Sequence, residues 1–140
     1  MTRFIRHPAE IPIEVKVHGQ SAYATHNAVN LSIGGLAFRC DRELEPGDIA
    51  EIRIPFVSPP FAAEARVAWC TARQGIFEIG VEFQDQDDAF TARMVEQVCH
   101  IENYKQEILL TEGRRLSSEE AAAEWIDKFA ARFPGSADAK

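Results

Sequence analysis

Two short groups of residues in this chain could bind an anion. Arg3 and Arg6 lie near the amino terminus, and Asn30, Ser32 and Gly35 form an Asn-x-Ser-x-x-Gly pattern. A guanidinium group is a planar fork that can bond phosphate through two parallel hydrogen bonds. Asparagine and serine offer short polar side chains, and glycine permits a positive φ or a close approach of the backbone to a ligand. These residue types predict a site for a small anion held by a few local arginines.

The composition limits the class of protein that could carry such a site. The chain has 140 residues, is 46% hydrophobic and 26% charged, and has a formal net charge of −7. Because duplex binding neutralises many phosphates at once, we do not expect an acidic chain to bind DNA through a large non-specific surface. No run approaches the roughly 18 apolar residues of a membrane helix, and the amino terminus lacks a signal-peptide core. We therefore expect a cytoplasmic protein without membrane insertion.

Up to residue 84 the hydrophobic pattern is that of β-strands. Alternation of apolar and polar side chains, with turn residues between the runs, predicts six short strands within 11–17, 23–31, 34–38, 49–56, 63–71 and 76–83. The expected core includes Val15, Phe38, Ile54, Val67 and Val81. Within 63–71 the alternation also places Trp69 on the same face as Val67. Strands of this length and spacing favour a small antiparallel barrel or sandwich.

After residue 84 the period changes to that of helices. Asp85, Asp87 and Asp88 are N-cap candidates rather than a cation site, and an apolar stripe follows at helical spacing: Phe90, Met94, Val98, Ile101 and Ile108. A break at 112–115 precedes a capping box at 117–120 and a second helix that runs to residue 134. Trp125, Phe129 and Phe133 form an aromatic stripe on that helix. The predicted organisation is a barrel domain at 1–84, a helical extension at 85–134 and a disordered tail at 135–140.

The barrel region resembles the PilZ family. The resemblance rests on Asn30-x-Ser32-x-x-Gly35 between two strands, downstream of an arginine-bearing amino terminus, and on the strand ending Gly80-Val-Glu-Phe83. The Pro46-Gly47 turn is also similar. The similarity covers residues 3 to 84 and implies an all-β core, a six-stranded antiparallel β-barrel, which is followed here by two C-terminal α-helices.

The resemblance also implies a ligand. PilZ proteins bind the bacterial second messenger cyclic di-GMP with an Arg-x-x-x-Arg loop before the first strand and an Asp/Asn-x-Ser-x-x-Gly turn. It implies no cofactor, and it implies that the binding residues are Arg3, Arg6, Asn30, Ser32 and Gly35. From the residues alone, the last three could instead simply shape a tight turn.

One residue departs from the family pattern. In PilZ proteins the second motif arginine sits immediately before the first hydrophobic residue of the strand. Here that hydrophobic residue is Ile11, and Glu10 takes the place of the arginine. The lost charge-assisted hydrogen bond costs about 1.5–3 kcal/mol. A carboxylate about 5 Å from a phosphate adds repulsion of about 3 kcal/mol at an effective dielectric near 20. We therefore expect Glu10 to weaken the binding of cyclic di-GMP.

Two functions from different classes follow from these observations. The first is a non-enzymatic bacterial signalling module that responds to cyclic di-GMP and acts through contact with an unidentified protein partner. The alternative is a ligand-independent PilZ-like interaction protein whose C-terminal helices form a homo-oligomer or dock on a partner. An enzyme is not expected, because Ser32 lies in no Gly-x-Ser-x-Gly elbow. Neither the four histidines nor the three cysteines have the spacing of metal ligands, and the cysteines are expected to be small buried hydrophobes.

Overall fold

Six antiparallel strands close into a barrel in the order β1-β2-β3-β6-β5-β4. The computed structural model describes residues 7–84 and 87–129. The strands are β1 (His7–Val17), β2 (Ala24–Leu31), β3 (Gly35–Cys40), β4 (Ile49–Ile54), β5 (Phe61–Arg73) and β6 (Ile76–Phe83). Each strand is hydrogen-bonded to a neighbouring strand on both sides, so the barrel has no open sheet edge. The predicted six-stranded antiparallel barrel is confirmed.

The barrel interior holds the residues that alternation predicts. No more than 3% of the surface of any of them is exposed: Val15, Phe38, Ile54, Val67 and Val81. Cys40 is also buried, as expected for a small apolar side chain, whereas Cys70 and Cys99 are half-buried. The core prediction is therefore confirmed, and the prediction for the cysteines holds fully only for Cys40.

Irregular pairing in β5 reverses the expected orientation of one large side chain. The register between β5 and β6 shifts after Val67, so that Trp69 pairs with Gly80. Gly80 lies between the buried Ile79 and Val81 and therefore faces the outside of the barrel. Since cross-strand partners share a face, Trp69 also faces outward, and its predicted place beside Val67 is wrong. A bulge adds one residue to a strand, and one residue is enough to reverse the alternation beyond it.

Two helices follow the barrel, and capping defines their ends. Helix α1 (Asp88–Glu112) begins after Asp87, whose Oδ1 accepts a hydrogen bond from the Ala89 N–H at 3.0 Å. It ends at Gly113, which has a φ of 69° and donates its N–H to the Leu109 carbonyl. Two helices and the predicted N-cap at Asp87 are therefore confirmed, while Asp85 lies outside the described residues.

Helix α2 (Ser118–Phe129) begins at the predicted capping box. The Glu120 N–H donates to Ser117 Oγ at 3.0 Å, and the Ser117 N–H donates to Glu120 Oε1 at 2.9 Å. The two bonds satisfy two N–H groups that the first helical turn would otherwise leave unpaired. Phe133 and the tail at 135–140 lie outside the described residues.

The described chain divides into two compact units, with the boundary between Glu96 and Gln97. In the first unit, the start of α1 is attached to the barrel because Phe90 stacks on Phe61 with ring centroids 5.6 Å apart. In the second unit, His100 of α1 stacks on Trp125 of α2 with centroids 5.5 Å apart. Most of the predicted apolar stripe of α1 is buried within one chain: Met94, Val98, Ile101 and Ile108.

Within the described parts of the chain, no helix has the length and apolar character needed to cross a membrane.

An arginine in the connection between the helices joins them by hydrogen bonds. Arg114 Nη1 and Nη2 donate to the two carboxylate oxygens of Glu124 at 3.0 and 3.1 Å, and its Nε donates to Glu112 at 2.9 Å. Tyr104 donates its hydroxyl to the same Glu124 at 2.8 Å. Hydrogen bonding by Arg114, with a further contribution from Tyr104, lowers the pKa of Glu124 to about 2. The carboxylate therefore stays charged in this network at neutral pH.

The capping box gives a direct test of the second unit. Replacing Ser117→Ala removes the acceptor of the Glu120 N–H, and we expect it to lower the free energy of unfolding by about 1 kcal/mol. Glu120→Gln is the control, because glutamine can accept the Ser117 N–H in the same way. Thermal unfolding followed by circular dichroism at 222 nm would measure both. Equal stability of the Ser117→Ala variant and the parent would contradict the role of this cap.

Candidate functional site

Ser32 is buried in the turn between β2 and β3, with 2% of its surface exposed. Its Oγ accepts hydrogen bonds from the N–H groups of Gly34 and Gly35, both at 3.2 Å, and donates to the Gly35 carbonyl at 3.3 Å. A hydroxyl has one donor and two acceptor lone pairs, so these three bonds use its full capacity. Ser32 therefore shapes the turn, which was the alternative interpretation of this motif.

Gly35 is required by the packing of two strands. A Cβ at this position would clash with the backbone carbonyl of Val81 in β6. The glycine therefore permits a close approach of the backbone, as the sequence analysis expected, but the partner in this structure is another strand. Its φ lies outside the left-handed region, so a positive φ does not explain it.

Asn30 lies on the outside of the barrel and belongs to a row of paired residues that crosses five strands. It pairs with Pro8 of β1 on one side and with Ala37 of β3 on the other, and Ala37 pairs with Gly80 of β6, which pairs with Trp69 of β5. We call these five residues the outer row. Adjacent strands lie about 4.8 Å apart, so the row extends over about 19 Å.

Trp69 and Gly80 form the far end of the outer row. A Cβ on Gly80 would clash with three atoms of the Trp69 indole, so the indole lies directly against the backbone of β6. Trp69 is half-buried there, and Ala37 beside it is fully buried. The exposed part of an aromatic ring on such a surface can stack on a nucleobase. Sequence reasoning missed this residue, although a glycine inside a strand often marks a close backbone approach.

The described chain begins next to the Asn-x-Ser-x-x-Gly turn. Strand β1 starts at His7, which pairs with Leu31, and Pro8 pairs with Asn30. Strand β1 starts four residues before the expected Ile11, and the alternation continues back through the exposed Glu10 to the buried Ala9. Arg3 and Arg6 lie outside the described residues, but Arg6 immediately precedes the residue paired with Leu31.

Glu10 is a residue of β1 and lies where the pairing with β2 is irregular, between Pro8 and Ile11. Glu10 takes the place of the second motif arginine in the register set by Ile11, and the structure begins β1 at His7. Its carboxylate Oε2 lies 3.6 Å from Arg39 Nη1 on β3. Both side chains are more than half exposed. Arg39 was not among the predicted site residues, and no sequence pattern links it to Glu10.

A separate cleft of about 200 Å³ lies where β1 ends and β2 begins, and none of the predicted site residues lines it. Its wall includes Val15, His26, Phe38 and Cys40. His26 is half-buried with its ring centroid 5.4 Å from that of Phe38, and burial is the main cause that lowers the pKa of its imidazole. Within residues 7–84 and 87–129, no group of three or more His, Cys, Asp or Glu side chains could hold a metal ion.

This fold and this motif identify the class of the protein. The family model described as the PilZ domain matches residues 2–99. The chain therefore belongs to the PilZ family, which confirms the resemblance inferred from the Asn-x-Ser-x-x-Gly turn and the arginine-bearing amino terminus. A comparison with curated proteins finds no match.

Solved structures of PilZ domains have a similar fold. The PilZ domain of YcgR from Escherichia coli with c-di-GMP aligns with a TM-score of 0.62 and 16% identity, covering 79% of this chain and 98% of that one. The PilZ domain of CeSA from a cellulose-synthesizing bacterium aligns with a TM-score of 0.52 and 23% identity, covering 70% and 98%. MotI/DgrA, the inhibitor of motility of Bacillus subtilis, aligns with a TM-score of 0.58 and 13% identity, covering 71% of this chain. This chain spans 49% of MotI/DgrA.

The role of Gly35 in barrel closure can be tested by adding a single methyl group. Gly35→Ala should lower the free energy of unfolding by about 3 kcal/mol, the upper end of the usual cost of overpacking, because the clashing atom is a backbone carbonyl that cannot rotate away. Gly47→Ala is the matched control: its φ is +97° with nothing within 4 Å of the added Cβ, so it should cost only the strain of about 1–2 kcal/mol. Urea unfolding of the three proteins measures this. Equal losses for the two variants would refute a packing role specific to Gly35.

Proposed function

We propose that this chain is a non-enzymatic bacterial receptor module for cyclic di-GMP, and that the nucleotide binds along the outer row of the barrel. The observation that carries the proposal is the register, which brings Asn30 and Trp69 into one row with Pro8, two residues after Arg6. Membership of the PilZ family supports it. The similarity to the YcgR PilZ domain, whose structure contains c-di-GMP, also supports it.

The ligand and the outer row have matching chemistry. Cyclic di-GMP carries two phosphates and two guanines, and arginine forks can bond phosphate oxygens or the O6 and N7 atoms of guanine. In the proposed complex Arg3 and Arg6 supply these forks, and the Asn30 side chain reads a guanine edge. Trp69 provides a stacking surface for a base. Ser32 and Gly35 contribute by holding the turn that positions Asn30.

The charge on this face supports weak binding in the natural sequence. Glu10 is in β1 two residues from Pro8, and its carboxylate is exposed on the outside of the barrel. A ligand phosphate in the outer row would be repelled by the Glu10 carboxylate, and water and salt reduce this repulsion.

We propose that the bound module then acts in the cytoplasm through contact with a protein partner.

Calorimetric titration with cyclic di-GMP tests the proposal. Arg6→Ala should weaken binding by at least about tenfold, as expected for one charge-assisted hydrogen bond. Glu10→Arg should tighten it by at least about tenfold, because it removes a carboxylate and supplies a fork. Raising the salt concentration should weaken binding by all forms.

Two controls make this titration specific. Arg115→Ala removes the same charge from the exposed connection between the helices, and it should leave the affinity unchanged. Cyclic di-AMP has the same phosphates without the guanine O6, and it should bind much more weakly. If neither the parent protein nor the Glu10→Arg variant binds cyclic di-GMP, the proposed function is wrong.

A second candidate is a ligand-independent interaction protein whose helices form a homo-oligomer. It is favoured by Leu110, a large apolar residue of α1 that is 83% exposed, and by the full use of the Ser32 hydroxyl within its own turn. Light scattering of the parent and of Leu110→Gln tests this candidate. A dimer that the substitution dissociates is the expected result if the helices associate through this residue. Monomers in both samples would exclude self-association through α1.

A further inference from the structure

Glu10 and Arg39 form an ion pair between strands that are not neighbours. Glu10 is in β1 and Arg39 is in β3, and β2 lies between those strands in the barrel. The pairing is irregular between Pro8 and Ile11 in β1 and between Ala28 and Asn30 in β2. Such bulges change the direction of nearby side chains. This explains how the side chains of Glu10 and Arg39 can meet across β2.

Arg39 is well placed to reach a ligand in the outer row. It follows Ala37, a member of that row, by two residues on β3, and side chains two residues apart in a strand share a face. The buried Phe38 and Cys40 on either side of it point into the barrel. The guanidinium of Arg39 therefore lies on the outer face, beside the row that contains Asn30.

The pair between Glu10 and Arg39 is looser than another glutamate–arginine pair on the same barrel. Arg53 donates two hydrogen bonds to Glu14 Oε1, at 2.9 and 2.7 Å, and its guanidinium lies 3.8 Å from the centre of the Tyr23 ring. The separation between Arg39 Nη1 and Glu10 Oε2 is 3.6 Å, beyond a normal hydrogen bond. An exposed pair of this length is weakly held, so an incoming anion can displace the carboxylate.

From these contacts we infer that Arg39 is a further phosphate-binding residue of the outer row, and that Glu10 competes with the ligand for it. The inference rests on the proposed binding of cyclic di-GMP and adds a residue from β3 to the arginines that precede β1. In the free protein Arg39 is paired with Glu10. In the complex a phosphate oxygen takes the place of the Glu10 carboxylate, so Glu10 sets the affinity of the site through its competition.

A double-mutant cycle distinguishes this competition from simple repulsion. Arg39→Gln should weaken the binding of cyclic di-GMP by about tenfold, because a charged fork is lost. Glu10→Gln should tighten binding by about fivefold in the parent protein, but by less than about twofold in the Arg39→Gln background, because the released arginine is absent there. Glu14→Gln is the matched control, since it removes the same charge from the same strand, and its affinity should stay within about twofold of the parent.

Each outcome of the titration supports or overturns the inference. The expected non-additivity of Glu10→Gln and Arg39→Gln supports it. If the parent binds and Arg39→Gln binds equally well, Arg39 is not a ligand residue, while the proposed function stands. If the two effects simply add, Glu10 acts by repulsion and not by holding Arg39. Failure of all four proteins of the cycle to bind overturns the proposed function and this inference together.

Discussion

The close approach of β3 to β6 is the constraint on which the rest of the barrel surface depends. Gly35 lies so near the Val81 carbonyl that a side chain does not fit between them. In the register that contains this contact, Ala37 pairs with Gly80. A second glycine, Gly80, lets the Trp69 indole lie against the backbone of β6. One glycine thus permits the close approach of two strands, and the other permits an aromatic ring on the outside of the closed barrel.

The turn before β3 shows how one motif can be structural and still serve a site. Ser32 makes three hydrogen bonds inside the turn and is buried, so its hydroxyl is committed to the backbone. Loss of a buried acceptor would leave two N–H groups unsatisfied and would cost more than the bonds themselves contribute. A weaker ligand affinity in a Ser32→Ala protein would therefore report a distorted turn as readily as a lost contact. The arginines and Trp69 are the more direct probes of the site.

The sequence alone predicts those features that depend on local pattern. Alternation identifies the core through Val15 and Val81, and the capping box at Ser117 is visible because its geometry needs only residues three apart. Trp69 could not be placed, since a single extra residue in β5 reverses the face on which it lies. The pair formed by Glu10 and Arg39 could not be predicted either, because it depends on the order of strands in the barrel. The candidate site is thus half visible in the sequence: its motif is local, whereas its aromatic end and its third arginine arise from topology.

Cyclic di-GMP is proposed to bind along the outer row. The most direct measurement follows the indole N–H signals of the ¹⁵N-labelled protein by NMR as the nucleotide is added. The chain has two tryptophans, so Trp125 of the helical unit serves as an internal reference for Trp69. Binding along the outer row should give a saturable shift of the Trp69 indole signal and of the Asn30 side-chain amide signal, and no shift for Trp125. Binding that leaves Trp69 and Asn30 unmoved, or that instead shifts residues of the cleft around His26, would contradict it.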